Sequence, residues 1–215
     1  YQMILGEKCD RVLDLGCGDG AYAIKTTSKL SSSVIVGVDG NEEKLKEAAS
    51  RGLKVLCCDL NKTFPFANSS FDMVFCNFVI EHLFDIDNFI LEIRRVLKDG
   101  GCAIIGTENL ASTHNFLALI LGMQPFPMTI ALSSKYRLGN RLQAKNLLPI
   151  NNEESPHVRV FTYEGLKDIF SIYSFDIEKI CGAGYPPLMG RISCIFAKID
   201  PRHAAFNLIK VKKVC

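Results

Sequence analysis

The chain has 215 residues, with 25 basic and 23 acidic side chains, so its formal net charge at neutral pH is only +2. Hydrophobic residues make up 48% and charged residues 22% of the chain, which excludes a disordered or collagen-like protein. This length predicts one domain over residues 1–215 with a sizeable core. The chain begins with Tyr1 and no positively charged leader, which indicates a trimmed N-terminus rather than a secreted precursor.

Nine cysteines are spread along the chain without a C-x-x-C pair. This scattered, odd-numbered set predicts neither a disulfide framework nor a zinc site, and no residue is assigned to a metal. Because free thiols persist in a reducing compartment, the cysteines indicate a cytoplasmic protein. The most apolar window, residues 116–132, is too short and too interrupted by proline to predict a transmembrane segment.

Strand and helix patterns alternate over the first half of the chain. Buried strands are predicted at residues 11–15, 34–38, 54–58, 71–76 and 102–107. Helices are predicted over residues 21–30, from an Asn41 cap over residues 42–50, and over residues 87–97. This alternation predicts right-handed βαβ units and a parallel sheet with helices on both faces.

The pattern changes after residue 108. Residues 110–160 contain two proline-rich segments and no strand pattern, so they are predicted as a substrate-side insertion or lid. Residues 161–215 are predicted to supply a helix starting near Thr162 and the closing strands, with a second helix between them. His203 is expected to serve the turn before the last strand.

The stretch VLDLGCGDG places Gly16, Gly18 and Gly20 directly after the first strand. Glycine in ordered structure costs roughly 0.5–1 kcal/mol relative to alanine, so this density indicates that something approaches the backbone closely. The spacing differs from the G-x-G-x-x-G of dinucleotide-binding turns. Asp14 in the strand and Asp19 in the turn favour a ligand with ammonium and sulfonium charge over a pyrophosphate.

Asp39, Asp59 and Asn77 follow the next three predicted strands. Since the carboxyl ends of parallel strands meet at one edge of a sheet, we expect these side chains to converge. Asp39 can accept hydrogen bonds from ribose hydroxyls, and Asp59 can accept one from an adenine amino group. Taken singly, Asp39 is also explained as a helix cap and Asp59 as a turn residue.

These residues resemble the class I S-adenosylmethionine-dependent methyltransferases of the small-molecule type. The resemblance covers residues 11–109 and rests on VLDLGCGDG, GVDGNEEKLKEA, CDL, FPFANSSFDMVFCNFVIEHL and EIRRVLKDGGCAIIGTEN. It implies a Rossmann-like α/β fold with a seven-stranded sheet of order 3-2-1-4-5-7-6, the last strand antiparallel. Residues 11–109 would then be the cofactor-binding core.

The resemblance also implies which residues bind S-adenosylmethionine. They are Asp14, Gly16, Cys17, Gly18, Gly20, Asp39, Gly40, Asp59, Leu60 and Asn77. Asp14 would orient the amino group of the cofactor, Asp39 would hold its ribose, and Asn77 would lie near the reacting methyl group. Asp59 and Leu60 would meet the adenine.

Methyl transfer is an in-line displacement, so the protein mainly positions the acceptor, and an oxygen acceptor must also lose a proton. The candidate catalytic residues are His82, Glu81 and His114. For Glu81 and His82, capping or bracing the following helix is the alternative. His157 flanks the insertion as His114 does, and Glu108 faces the same crevice from the end of the fifth strand.

The predicted insertion is locally cationic. It contains no acidic residue between Asn109 and Asn152, but four basic residues: Lys135, Arg137, Arg141 and Lys145. This charge favours an acceptor with a phosphate or carboxylate, and a solvated helix face is the alternative. An apolar segment followed by a basic one also suits a lipid-linked acceptor and peripheral membrane contact.

A looser resemblance, over residues 108–126, 157–170 and 200–213, is to methyltransferase-like proteins of glycan-related gene sets. We therefore expect methyl transfer to a small-molecule, glycan-like or lipid-like acceptor, at oxygen. Three alternatives remain open. The first is a nicotinamide-dependent oxidoreductase, which shares the topology but not the glycine spacing. The second is a nucleic-acid methyltransferase, which would have an N/D-P-P-Y/F motif where this chain has NFVIEH. The third is a non-catalytic protein that keeps the cofactor pocket.

Overall fold

The computed structural model describes Met3 and residues 9–27, 34–128, 139–142 and 156–214. Its strands are β1 (Arg11–Leu15), β2 (Val34–Asp39), β3 (Lys54–Cys57), β4 (Phe71–Asn77), β5 (Leu97–Glu108), β6 (Phe175–Ala183) and β7 (Phe206–Lys213). They form one seven-stranded sheet in the order β3-β2-β1-β4-β5-β7-β6. The predicted strand order is therefore confirmed.

The pairing of the strands creates one functional edge. β3, β2, β1, β4 and β5 pair in parallel with one another, whereas β7 pairs antiparallel with both β5 and β6, as predicted. Asp39 at the end of β2 lies opposite Cys57 of β3, and Asn77 at the end of β4 lies opposite Gly106 of β5. The carboxyl ends of the five parallel strands consequently lie side by side.

The α-helices of the described residues are α1 (Ala21–Thr27), α2 (Glu42–Ser50), α3 (Ile86–Val96), α4 (Thr113–Ile120), α5 (Tyr163–Ile172) and α6 (Gly190–Ile199). α2 begins as predicted at Asn41, whose side-chain oxygen accepts hydrogen bonds from the N–H groups of Glu43 and Lys44. The short 3-10 turn Pro201–His203 precedes β7, and His203 Nδ1 lies 2.9 Å from Asp200 Oδ2, so His203 serves this turn as expected.

α4 lies in the predicted insertion, where the sequence pattern indicated no particular element. Its Asn115 is buried, donates to the Asn109 carbonyl and accepts from the N–H of Phe126, which fixes both ends of the helix. The apolar side chains on its outer side are exposed: Phe116, Leu117, Leu119 and Ile120. No helix in the described ranges has both the length and the apolarity to cross a bilayer.

α3 anchors the central core. Its buried side chains Phe89, Ile90, Ile93 and Val96 pack in one cluster with residues of β1, β4 and β5. This burial matches the helical spacing of apolar residues in the sequence. The packing of α3 against the sheet holds β4 and β5 in place.

A polar pair on α3 holds the loop before β4. Glu92 is 7% exposed and accepts from the N–H of Phe64 at 2.6 Å and from Arg95 Nε at 2.7 Å. Arg95 in turn donates to the carbonyls of Phe64 and Phe66. Each charge is therefore paired and hydrogen-bonded where the chain buries it.

Arg95→Met is expected to lower the free energy of unfolding by about 3 kcal/mol, because the buried Glu92 carboxylate would lose its partner. Arg94→Met is the matched control, since Arg94 makes one exposed hydrogen bond to the Val214 carbonyl and its removal should cost about 1 kcal/mol or less. Urea unfolding of both variants measures the difference. Equal losses would contradict a role for the Glu92–Arg95 pair.

Candidate functional site

A cavity of about 940 Å³ lies at the carboxyl ends of the parallel strands. Predicted site residues that line it are Gly16, Gly18, Asp39, Gly40, Asp59, Leu60, Glu81 and His82. Other lining residues are Asn41, Lys44, Cys57, Cys58, Asn61, Phe78, Val79, Leu83, Glu108 and His157. Predicted site residues outside this lining are Asp14, Cys17, Gly20, Asn77 and His114.

The three glycines of the turn after β1 all have positive φ, but they make room for different neighbours. A Cβ on Gly16 would overlap the side chain of Val79, and a Cβ on Gly20 would lie 3.0 Å from Ala48 Cβ. A Cβ on Gly18 would meet no protein atom within 4 Å. Of the three, Gly18 is therefore the glycine whose missing side chain leaves space for a ligand.

The carboxylate of Asp39 organises the turn. Its Oδ2 accepts from the N–H of Gly18 at 2.9 Å, and its Oδ1 accepts from the N–H of Asn41 at 2.8 Å. Each carboxylate oxygen can accept two hydrogen bonds, so Asp39 keeps acceptor capacity on both oxygens toward the cavity that it lines. The interpretation of Asp39 as a helix cap is wrong, because Asn41 caps α2 and Asp39 only accepts the N–H of that cap residue.

Asp14 lies in β1 and is 5% exposed. Burial and then the nearby Asp39 carboxylate raise the pKa of Asp14 to about 7. Such a group gains charge readily when a cation approaches, because the opposite charge offsets its desolvation. Asp14, which lies outside the cavity lining, is therefore an acid that is partly neutral near neutral pH.

Asp59 begins a turn that joins two walls of the cavity. Its Oδ1 accepts from the backbone N–H and the side-chain amide of Asn61, and these hydrogen bonds lower the pKa of Asp59. The Asn61 side-chain oxygen accepts from the N–H groups of Phe84 and Asp85. The segment after β3 is thereby fixed to the segment after β4, with Leu60 buried between them.

Cys17, in the turn after β1, and Asn77, at the end of β4, each lie close to a glycine of a neighbouring strand. A Cβ on Gly37 would lie 2.7 Å from Cys17 Sγ, and a Cβ on Gly106 would overlap the Asn77 side-chain oxygen. Glycine at these two strand positions therefore makes room for the two side chains. The predicted contacts of Cys17 and Asn77 with a cofactor stay predictions.

Four side chains, Glu81, His82, Glu108 and His157, form what we call the Glu/His cluster. Glu81 and His82 lie in the 3-10 turn Ile80–His82 after β4, and the His82 and His157 rings have centroids 4.8 Å apart. His157 Nδ1 is 3.5 Å from Glu108 Oε2 at the end of β5. Two titratable acids and two imidazoles thus meet at the cavity wall.

Glu81 is fully buried, and this burial raises its pKa. Its Oε2 accepts from the Thr107 hydroxyl at 2.9 Å. Its backbone carbonyl accepts from the N–H groups of Val158 and Arg159, which brings His157 to the cluster. These contacts connect Glu81 to β5 and to the segment of His157, whereas the following helix, α3, is capped by Asp85.

His114 lies apart from this cluster. Its ring packs against Phe126, with centroids 5.1 Å apart, and burial lowers its pKa. A catalytic role for His114 stays a prediction. Of the predicted cationic residues only Arg141 is described, whereas Lys135, Arg137 and Lys145 lie outside the described residues.

Sequence reasoning missed Phe78 and Lys44. Phe78 has φ of 57°, which is uncommon for a bulky residue, and its N–H donates to the Gly106 carbonyl. No sequence signal indicates this backbone conformation. Lys44 was accessible to prediction, because the first turn of α2 directly follows Asp39 at the cavity edge.

The raised pKa of Asp14 predicts a pH-dependent stability. Between the ordinary pKa of an aspartate and about 7, the folded protein holds a proton that the unfolded chain has released, so Asp14 makes stability fall as pH rises. Asp14→Asn should raise Tm by a few degrees near pH 8, with the gain shrinking as the pH falls toward about 5.

Thermal melting of the wild-type and variant proteins across this pH range measures the effect. Asp19→Asn, in the turn that follows β1, is the control, since hydrogen bonds from Ala21 and Arg51 lower the pKa of Asp19. It should lower Tm near neutral pH instead. A difference between Asp14→Asn and wild type that does not vary with pH would refute the assignment.

Residues 13–105 match a family described as a methyltransferase domain. An uncharacterized protein of Methanocaldococcus jannaschii, MJ1123, is 36% identical over 174 residues, covering 81% of this chain and 78% of that protein. The human mitochondrial ubiquinone biosynthesis O-methyltransferase is 28% identical over 53% of this chain, and the Legionella pneumophila malonyl-[acyl-carrier protein] O-methyltransferase is 32% identical over 45%.

This chain spans only 33% and 36% of those two enzymes. Among solved structures, a SAM-dependent methyltransferase from Methanosarcina mazei aligns with a TM-score of 0.66 at 20% identity, covering 100% of this chain and 98% of that one. The Haemonchus contortus phosphoethanolamine N-methyltransferase 2, in complex with S-adenosyl-L-methionine, aligns with a TM-score of 0.63 at 18% identity, covering 100% and 51%. The chain belongs to the class I S-adenosylmethionine-dependent methyltransferases.

Proposed function

We propose that this protein transfers the methyl group of S-adenosylmethionine to an oxygen atom of a small-molecule, glycan-like or lipid-like acceptor. The observation that carries the proposal is the order of groups along one cavity: Asp59 after β3, Asp39 after β2, Gly18 after β1, and the Glu/His cluster after β4 and β5. Neighbouring strands lie about 4.8 Å apart, so this row extends over roughly 19 Å. It accommodates an extended nucleoside at one end and an acceptor at the other.

The residues of the nucleoside end fit the cofactor. Asp39 keeps acceptor capacity for the ribose hydroxyls, and Asp59 and Leu60 are available to the adenine. Asp14 would become charged when the cofactor's amino group lies near it, directly or through water. Bound S-adenosylmethionine supplies a methyl group already activated on sulfonium, so the protein's main task is positioning.

The Glu/His cluster is suited to the acceptor. An attacking hydroxyl must lose its proton, and imidazole and carboxylate side chains are the usual groups that promote this loss. His82 lies on the turn after β4, next to Val79, whose side chain packs against Gly16. We therefore assign His82 and Glu81 to acceptor binding and proton removal, with His157 and Glu108 completing the cluster.

Two features support the acceptor class. The exposed apolar side of α4 would suit a lipid-like group, and the loop after α4 reaches the cavity through the Pro127 carbonyl, which accepts from His157 Nδ1 at 2.6 Å. Two relatives are named O-methyltransferases, which supports transfer to oxygen.

Membership of the methyltransferase family argues against the nicotinamide-dependent oxidoreductase that the sequence left open.

Gly18→Ala is expected to weaken S-adenosylmethionine binding by roughly tenfold or more. Gly18 lines the cavity, and the added methyl group would occupy the open space next to it. Gly52→Ala is the matched control: Gly52 also has positive φ and open space around it, but it lies outside the cavity lining. Calorimetric titration of both variants compares the affinities. Equal affinity for the two variants would remove Gly18 from the cofactor site.

Transfer itself is tested with S-adenosylmethionine labelled at its methyl carbon and separate fractions of polar lipids, soluble glycans and nucleic acids. We expect the label in the lipid or glycan fraction, attached to oxygen according to its carbon chemical shift. The Gly18→Ala variant provides the transfer-deficient control. Label in the nucleic-acid fraction, or on nitrogen, would contradict the proposed acceptor.

A further inference from the structure

The geometry of the Glu/His cluster points to a divalent cation site. One ligand atom each from Glu81, His82 and His157 lie within 4.8 Å of one another. A carboxylate and two imidazoles are ligands that first-row ions such as Zn²⁺ and Mn²⁺ accept. We infer that these three residues bind one such ion and that it holds the acceptor oxygen, an inference that rests on the proposed function.

Glu81 provides an observation independent of this proximity. The side chain is fully buried, and its Oε2 accepts from Thr107, but its Oε1 has no hydrogen-bond partner within the described chain. A buried carboxylate oxygen left unsatisfied is costly, so natural structures pair such oxygens or use them to coordinate metals. A cation in the cluster would satisfy this oxygen.

Backbone carbonyls set the tautomer of both neutral histidines and leave Nε2 as the nitrogen that could bind a metal. His82 Nδ1 lies 3.2 Å from the Pro156 carbonyl, and His157 Nδ1 lies 2.6 Å from the Pro127 carbonyl. A carbonyl oxygen only accepts hydrogen bonds, so each Nδ1 carries the proton and each Nε2 carries the lone pair. Backbone carbonyls orient metal-binding histidines in this way in many proteins.

The cluster is also preorganised by the chain. Glu81 and His82 share the 3-10 turn after β4, whereas His157 is 75 residues further on and is brought in by the hydrogen bond from Val158 N–H to the Glu81 carbonyl, at 2.8 Å. Glu108 lies next to His157 and adds a second negative charge. The ligands therefore come from two rigidly connected segments.

The ion would give the acceptor hydroxyl a fixed position and favour loss of its proton to water. The acceptor oxygen then forms a bond to the methyl carbon while the carbon–sulfur bond breaks and leaves its electron pair on sulfur. The products are the methylated acceptor and the neutral thioether of the cofactor. With the ion bound, His82 and Glu81 would promote this proton loss as ligands of the ion, which specifies the role proposed for them above.

Untagged protein, dialysed against a chelator and then titrated with Zn²⁺ or Mn²⁺ in a calorimeter, tests the site. We expect one ion per chain, and Glu81→Gln, which keeps an acceptor for the Thr107 hydroxyl, should weaken binding at least about tenfold. The matched control is His203→Asn at the exposed Asp200–His203 pair, which should bind the ion as the wild type does. Absence of saturable binding, or equal losses in the two variants, would overturn the inference.

A second variant and a second ligand keep the test decisive. His157→Asn removes a ligand from the other segment and should lose the ion while retaining S-adenosylmethionine affinity; if Glu81→Gln melts early, this variant decides. S-adenosylmethionine is titrated separately into each protein. Binding of the nucleoside without the ion would refute only the cation site, whereas absence of nucleoside binding would refute the proposed function.

Discussion

The carboxylate of Asp39 is the contact on which the cavity depends. It receives the N–H of Gly18 from the turn after β1 and the N–H of Asn41 from the start of α2. Gly16 and Cys17 also donate their N–H groups to the Val38 carbonyl, at 2.7 and 3.0 Å. The turn is therefore attached to the end of β2. Because its backbone is already ordered, a ligand that binds against it pays little entropy to order it, which favours affinity.

The sheet and the convergence of the glycines and acids at one cavity could be predicted because they follow local rules. Buried parallel strands appear in the sequence as short apolar runs, and the glycines and acids stand directly at their ends. The sequence did not indicate which neighbouring side chain requires each glycine. Gly16 makes room for Val79, which lies after β4, and Gly20 makes room for Ala48 of α2, so spacing within one motif cannot indicate these neighbours.

The other end of the cavity depends on contacts between distant segments. Glu81 and His82 were predicted because they follow a strand, but His157 reaches them through the hydrogen bond from Val158 to the Glu81 carbonyl. The segment that carries His157 has no apolar period that would locate it in advance. The conformation of Phe78 was likewise not predicted. Its positive φ accompanies a hydrogen bond from its N–H to the Gly106 carbonyl of β5, a contact that the local sequence does not indicate.

Charge links the two ends of the cavity. A divalent ion alone would repel a sulfonium at short range, but ionised Glu81 and Glu108 supply two negative charges that cancel it. Under the proposed function Asp14 would act in the same sense, because its pKa of about 7 would let it gain a negative charge when the cofactor's amino group approaches. With the proposed cofactor and ion bound, both ends would then match the charge of their ligand and leave no uncompensated ion beside the methyl group.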